Sequence, residues 1–148
     1  YEKHESIIKA AKVSEQYSKL QKWKIYDDVI PNFTLLQNHL WKNILVTNNI
    51  PELSAILNKL DLEKYFDSIF VSSIVGYNKP NPLIIHGYLE KIGSDSKIIV
   101  VGDRVESDIA FAEILHAEGI LVRATEKRGK LNFDNLTDLT RYILSLKF

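Results

Sequence analysis

From residue 43 onwards, short apolar runs alternate with longer amphipathic stretches. The short runs are rich in β-branched residues and apolar at nearly every position, which is typical of parallel strands that are buried on both faces. Regular alternation of strand and helix indicates βαβ units, and it predicts an α/β fold with a doubly wound parallel sheet. The predicted strands are Asn43–Thr47, Ser68–Ser72, Lys97–Val101 and Ile120–Val122.

Apolar residues at helical spacing occupy the stretches between these runs and both ends of the chain. Asn32 is expected to cap the second helix, because its side chain can accept from the free N–H groups of a first turn. Gly93 and Gly119 are expected to end two further helices. The first helix lies outside the strand–helix alternation and could belong to a separate small helical element. The predicted helices are about Glu2–Lys22, Asn32–Trp41, Pro51–Leu60, Pro82–Ile92, Glu106–Glu118 and Asn135–Leu146.

Composition and charge exclude several classes of function. The 148 residues carry 19 Lys+Arg and 19 Asp+Glu, and this zero formal charge argues against a nucleic-acid binder, which needs a basic surface. The absence of cysteine excludes disulfides, thiolate zinc sites and cysteine nucleophiles. No apolar run approaches the ~18 residues of a membrane span and no secretory signal is visible, so we expect a cytoplasmic protein that does not bind membranes.

Polar residues follow three of the predicted strands at the points where they end. Thr47 and Asn48 follow the first strand, Ser72 ends the second, and Asp103 follows the third. The carboxyl ends of parallel strands meet at one edge of a doubly wound sheet, where ligands bind. The sequence therefore predicts a site in which a hydroxyl, an amide and a carboxylate converge.

Two carboxylates, Asp103 and Asp108, stand five residues apart across the end of the third strand and the start of the next helix. Carboxylate oxygens are preferred ligands of Mg²⁺, which usually takes one or two from the protein together with water and phosphate. A structural alternative is that Asp103 caps the helix and Asp108 favours its positive end. The spacing alone leaves both interpretations open.

Lys79 lies in a loop between Gly76 and two prolines, which restrict the backbone around it. A lysine held in this way can offer a point positive charge to a phosphate group. Thr47 can donate its hydroxyl to a phosphate oxygen, and the Asn48 amide could assist. The alternatives are a solvated loop lysine and a strand-end threonine bonded to its own backbone.

Three segments taken together, in this order, resemble motifs of the haloacid dehalogenase superfamily of phosphohydrolases. Ile44–Asn48 resembles the second motif, a hydrophobic strand that ends in Thr or Ser. Lys79–Pro82 resembles the third motif, Lys-Pro-x-Pro, and Val100–Asp108 resembles the fourth, Gly-Asp-x4-Asp. The similarity spans about Ile25–Val122 and implies the Rossmann-like core of that superfamily.

The resemblance implies a Mg²⁺-dependent phosphomonoester phosphatase that acts on a small phosphorylated metabolite through an aspartyl-phosphate intermediate. By this resemblance Thr47 and Lys79 are the catalytic residues of the chain. Thr47, with Asn48, binds the transferring phosphoryl group, and Lys79 neutralises it. Asp103 ligates Mg²⁺, and Asp108 completes the acidic cluster, either on the metal or holding Lys79.

The first motif of the superfamily, a strand ending in the nucleophile sequence Asp-x-Asp, does not occur in these 148 residues. By the same resemblance, residues 1–24 correspond to the end of a helical cap, and residues 25–148 correspond to the core without its first strand. We expect unpaired edges on Ile44–Thr47 and Lys97–Val101, an upstream segment in the natural protein that fills the gap, and no catalysis by the chain alone.

Two rival interpretations remain. The first is a non-catalytic relative that binds a ligand or regulates a partner after losing its nucleophile. The second is an unrelated receiver-like or nucleotide-binding domain of the same α/β class. The second is weakened because the chain has no glycine-rich phosphate loop of the Gly-x-Gly-x-x-Gly or Walker type.

Overall fold

The computed structural model of the chain describes residues 23–93 and 95–147. The predicted N-terminal helix, Glu2–Lys22, lies outside the described residues, as does nearly all of the predicted cap remnant at 1–24. None of the helices in the described ranges is long and apolar enough to cross a membrane.

The described residues form an alternating series of short strands and helices, as the sequence predicts. A 3₁₀ turn, Pro82–Ile85, runs directly into α4, and a π-helical turn, Val105–Ile109, runs into α5. The helices are α1 Val29–Asn38, α2 Leu53–Lys59, α3 Ser72–Val75, α4 His86–Leu89, α5 Ala110–Ile114 and α6 Leu136–Ser145. The strands are β1 Ile44–Thr47, β2 Ser68–Val71, β3 Ile99–Gly102, β4 Glu118–Val122 and β5 Asn132–Phe133.

All strand pairs are parallel, and the strands form two sheets rather than one. β1 pairs with β2 in the first sheet, and the second sheet has the order β3-β4-β5. No pairing joins β1 to β3 within the described ranges. The expected unpaired edges on these two strands are therefore present.

Successive residues of each strand pack on opposite faces, which gives the doubly wound arrangement. On one face, Leu45 of β1 packs against a cluster formed mainly by α2, and Ile99 of β3 packs against a cluster built on α6. On the other face, Ile84, Ile85 and Phe111 form a buried cluster that contacts both sheets. The strand residues that pack against this shared cluster are Val46, Phe70 and Val100.

Two predicted helix boundaries are wrong because the residues concerned are used in packing, and one short strand was not predicted. Asn32 is not a helix cap but a buried residue inside α1, where its side chain donates to the Asp28 carbonyl and to the Thr137 hydroxyl. Gly119 does not end a helix, since it lies in β4 opposite Val100. The sequence pattern also missed β5, whose two residues are too few to produce a periodic signal.

An ion pair fastens the start of the described chain to the second sheet. Nη2 of Arg123, just after β4, donates to both carboxylate oxygens of Asp28 at 2.6 and 2.5 Å. The Asp28 carboxylate also accepts from the Leu136 N–H at 2.7 Å, at the start of α6. Burial acts to raise the pKa of Asp28, but the Leu136 hydrogen bond and the Arg123 guanidinium outweigh it and hold this pKa below its ordinary value.

We expect Asp28→Asn to lower the free energy of unfolding at neutral pH by about 1–3 kcal/mol, because it removes a partly buried charged partner. A carboxyl with a lowered pKa stabilises the fold above its unfolded value of 3.8, and this contribution is lost as the pH falls through the lower folded value. Urea unfolding of both proteins from pH 7 down to pH 3 measures this difference.

The difference in free energy of unfolding between wild type and Asp28→Asn should therefore become smaller only below about pH 4. Asp27→Asn is the matched control, because Asp27 is exposed and has no partner among the described residues. A wild type no more stable than Asp28→Asn at neutral pH would contradict the role given to this ion pair.

Gly119 allows α5 and the turn before it to pack closely on β4. A Cβ at this position would lie 2.9 Å from the Ala112 Cβ and 3.1 Å from the Ile109 Cδ1. We expect Gly119→Ala to destabilise the protein by about 1–3 kcal/mol through overpacking, as measured by urea unfolding. Gly87→Ala is the control, because a Cβ there meets nothing within 4 Å and alanine is the better helix former. Equal effects of the two substitutions would refute close packing at Gly119.

Candidate functional site

The centre of the candidate site is a buried ion pair between Lys79 and Asp108. The Lys79 Nζ lies 2.5 Å from the Asp108 Oδ1, and the two side chains are 14% and 4% exposed. Lys79 comes from the loop after α3, and Asp108 comes from the π-helical turn after β3. The structure thus brings together two of the residues that the sequence singled out, although 29 positions separate them.

Main-chain groups at the end of β3 hold the second oxygen of Asp108. Its Oδ2 accepts from the N–H groups of Asp103 and Arg104, each at 3.0 Å. Gly102 makes room for this carboxylate, because a Cβ at position 102 would lie 2.1 Å from the same oxygen. Gly102 and Asp103 therefore form the turn after β3 and also hold the Asp108 carboxylate in place. The sequence pattern does not predict this second role.

Asn48 bonds to the main chain of Lys79. The Lys79 N–H donates to the Asn48 Oδ1 at 2.7 Å, and the Asn48 Nδ2 donates to the Lys79 carbonyl at 3.1 Å. Next to it, the Asn49 N–H donates to the Ser72 hydroxyl at 3.1 Å and ties the end of β1 to the end of β2. The carboxyl ends of these strands therefore meet the Lys79 loop at one edge, as predicted.

Thr47 and Asp103 stand at the ends of β1 and β3 with free functional groups. Neither the Thr47 hydroxyl nor the Asp103 carboxylate has a hydrogen-bond or ion-pair partner in the described part of the chain. Thr47 is partly buried, and Asp103 is exposed. The alternative in which Thr47 bonds to its own backbone is thus not observed, and both groups are available to a ligand.

The donor set at this edge fits a Mg²⁺ ion that takes one ligand from these residues. No group of three or more metal-ligating side chains occurs among the described residues. Asp103 offers a free carboxylate, whereas both oxygens of Asp108 are already engaged by Lys79 and by main-chain amides. One carboxylate completed by water and phosphate is an ordinary Mg²⁺ environment. The geometry favours the alternative in which Asp108 holds Lys79.

Comparison with known proteins gives consistent matches. Residues 1–116 match the family described as haloacid dehalogenase-like hydrolase. The chain is 30% identical over 126 residues to the glyceraldehyde 3-phosphate phosphatase of Methanopyrus kandleri, across 84% of this chain and 52% of that protein. It is 34% identical over 88 residues to the phosphoglycolate phosphatase of Aquifex aeolicus, across 58% of this chain and 41% of that protein. The chain spans about half the length, or less, of these curated relatives.

Solved structures agree with the sequence matches. The HAD phosphatase from Thermococcus onnurineus superposes with a TM-score of 0.76 at 25% identity, over 90% of this chain and 63% of that one. A predicted phosphatase from Clostridium acetobutylicum superposes with a TM-score of 0.71 at 25% identity, over 83% of this chain and 61% of that one. The family match, the curated relatives and the shared fold lead to one conclusion: this chain belongs to the haloacid dehalogenase-like hydrolase family.

Proposed function

We propose that the chain provides the phosphate-binding and metal-binding side of a Mg²⁺-dependent phosphomonoester phosphatase that acts in the cytoplasm. One observation carries this proposal: the buried Lys79–Asp108 pair lies at the same sheet edge as the Thr47 hydroxyl and the Asp103 carboxylate, which have no partners among the described residues. A fixed cation, a hydroxyl donor and a carboxylate are the groups that bind a phosphate ester together with its metal.

The proposed roles follow from what each group can do. Phosphoryl transfer depends mainly on positioning and on stabilising charge that spreads over the phosphoryl oxygens. The Lys79 ammonium has donors in addition to the one used by Asp108, and it would compensate charge on the phosphoryl group. Thr47 would donate its hydroxyl to a phosphoryl oxygen. Asp108 would orient Lys79 rather than touch substrate.

Asp103 would hold the Mg²⁺, which supplies charge neutralisation to the phosphoryl oxygens when bound. Its exposure at the end of β3 keeps the carboxylate accessible to an ion and its water. The Asp108 carboxylate could reach the metal only by giving up Lys79 or the main-chain amides that it now accepts from. A single protein carboxylate from this chain is therefore the metal contribution that we propose.

The nucleophile would come from a strand outside these 148 residues that ends in Asp-x-Asp. The support for this is that β1 and β3 each have an edge that pairs with no other described strand, and that Val101 within β3 is 37% exposed. A strand inserted there would satisfy main-chain groups on both edges and join the two sheets. Residues 25–148 would then form the core of the enzyme, and residues 1–24 would form the end of a cap.

The substrate class that we propose is a small phosphorylated metabolite. The curated relatives are named for glyceraldehyde 3-phosphate, phosphoglycolate and pyrimidine 5′-nucleotides, which are all small phosphate esters. The pyrimidine 5′-nucleotidase of Escherichia coli shares 38% identity over 68 residues with this chain. The zero formal charge of the chain also suits a small substrate better than a nucleic acid.

We expect the 148-residue chain to show no turnover of an aryl phosphate with Mg²⁺, because its sequence has no strand that ends in Asp-x-Asp to supply the nucleophile. The gene product extended to include an Asp-x-Asp strand should hydrolyse the same compound. In that longer protein, Lys79→Met should lower kcat by about 10²-fold or more, since it removes charge stabilisation in the transition state. Steady-state release of the aryl alcohol measures all three.

Lys91→Met is the matched control in the extended protein, because Lys91 is an exposed lysine away from the strand ends. Turnover by the 148-residue chain would overturn our placement of the nucleophile. An extended protein that binds phosphate without hydrolysing any ester would instead favour the non-catalytic binding or regulatory relative.

We expect the chain to bind Mg²⁺ weakly through Asp103, with NMR shift changes confined to residues around the end of β3. Asp103→Asn should abolish these changes, because an amide is a poorer ligand for a hard cation than a carboxylate. Asp61→Asn is the control, since Asp61 is an exposed carboxylate in the turn after α2 and not at the carboxyl end of a strand. Unchanged Mg²⁺ binding in Asp103→Asn would remove Asp103 from the proposed site.

A further inference from the structure

Lys79 is fixed at both ends of its side chain. At the main-chain end, the Asn48 carboxamide accepts from the Lys79 N–H at 2.7 Å and donates to its carbonyl at 3.1 Å. At the far end, the ammonium contacts the Asp108 Oδ1 at 2.5 Å. Lysine has a flexible four-carbon stem with many rotamers, so two anchors reduce the conformational freedom that a ligand would otherwise have to remove.

These anchors also form a polar connection between the two sheets. Asn48 follows β1 and reaches Lys79 across 31 positions of sequence, and Lys79 reaches Asp108 across 29. Asp108 in turn accepts from the main chain at Asp103 and Arg104, directly after β3. β1 and β3 are not paired with each other, so these hydrogen bonds and the ion pair are what link the two strand ends at the edge where the site lies.

The geometry points to Asn48 as a positioning residue for Lys79, and not as a direct ligand of the phosphate group. We propose that Asn48 sets the place from which the Lys79 side chain extends, so that the ammonium meets both Asp108 and the phosphoryl group. The inference rests on the proposed function only where it concerns phosphate. Both polar atoms of the Asn48 amide are engaged by Lys79, whereas the neighbouring Thr47 hydroxyl has no partner in the part of the chain that the structure describes.

The first test follows the ammonium group itself and needs no ligand. In protein labelled with ¹⁵N at lysine Nζ, the enclosed Lys79 ammonium should give an observable NMR signal, identified by its loss in Lys79→Met. Asn48→Ala should abolish or broaden that signal, while Asn58→Ala should leave it unchanged. Asn58 is the matched control, because it is an exposed asparagine within α2 whose side chain donates to the Glu63 carboxylate and not to Lys79.

A second variant keeps this test decisive if Asn48→Ala unfolds, which the amide spectrum reports directly. Asn48→Asp retains the acceptor for the Lys79 N–H but replaces the donor to the Lys79 carbonyl with a charged oxygen, so the ammonium signal should weaken and persist. An unchanged Lys79 signal in a folded Asn48→Ala protein, or in Asn48→Asp if Asn48→Ala unfolds, would overturn the inference.

The second test is a double-mutant cycle on inorganic phosphate binding in the presence of Mg²⁺, with dissociation constants taken from NMR shifts. Asn48→Ala should weaken binding by about 10-fold, as expected when a binding group is displaced. In the Lys79→Met background the same substitution should have no further effect, because Asn48 acts through Lys79. A further loss in that background would mean that Asn48 contacts phosphate directly, and would overturn the inference.

The two tests separate the inference from the function on which it rests. If the wild-type chain binds no phosphate, the proposed phosphate site fails, and the ammonium signal alone decides whether Asn48 positions Lys79. If phosphate binds and the ammonium signal does not respond to Asn48→Ala, the phosphate site stands and the positioning role is wrong.

Discussion

The buried ion pair of Lys79 and Asp108 is the constraint on which the site depends. Burying either charge alone would destabilise the fold. The buried pair is stable because each charged group has its partner and the remaining carboxylate oxygen accepts hydrogen bonds. Asp108 receives the ammonium on one oxygen and two main-chain amides on the other, and Gly102 leaves the space that it occupies. The ends of β1 and β3 are thereby held at a common edge, where the Thr47 hydroxyl has no partner among residues 23–93 and 95–147.

Two kinds of contact hold the sheets together where no strand pairing does. On one face, the buried cluster of Ile84, Ile85 and Phe111 takes contacts from both sheets. At the carboxyl edge, the polar connection that runs through Lys79 links the strand ends. Apolar packing is non-directional and supplies most of the association, whereas hydrogen bonds fix the geometry. Between these contacts, β1 and β3 each keep a main-chain edge that pairs with no other described strand.

The strands were predicted better than the helices, for a physical reason. Strands such as β1 and β3 are short β-branched runs that are apolar at nearly every position, a signal that survives without knowledge of neighbours. The region from Pro82 divides into a 3₁₀ turn and a short α-helix, and the helix predicted from Glu106 begins as a π-turn around Asp108. The prediction for Gly119 is wrong because two kinds of glycine look identical in sequence. One ends a helix, and the other lies in a strand and leaves room for a helix to pack against it.

The sequence by itself determined the fold class, the order of the motifs and the kinds of group that meet at the strand ends. Thr47, Lys79, Asp103 and Asp108 are all visible there, because a parallel sheet delivers strand ends to one edge whatever the details of packing. Only the tertiary structure decided which group is bonded to which. Asp108 contacts Lys79, Asn48 bonds to the Lys79 main chain, and Asp103 has no side-chain partner among the described residues. Packing decides these contacts, because the partners are some 30 residues apart and local spacing carries no information about them.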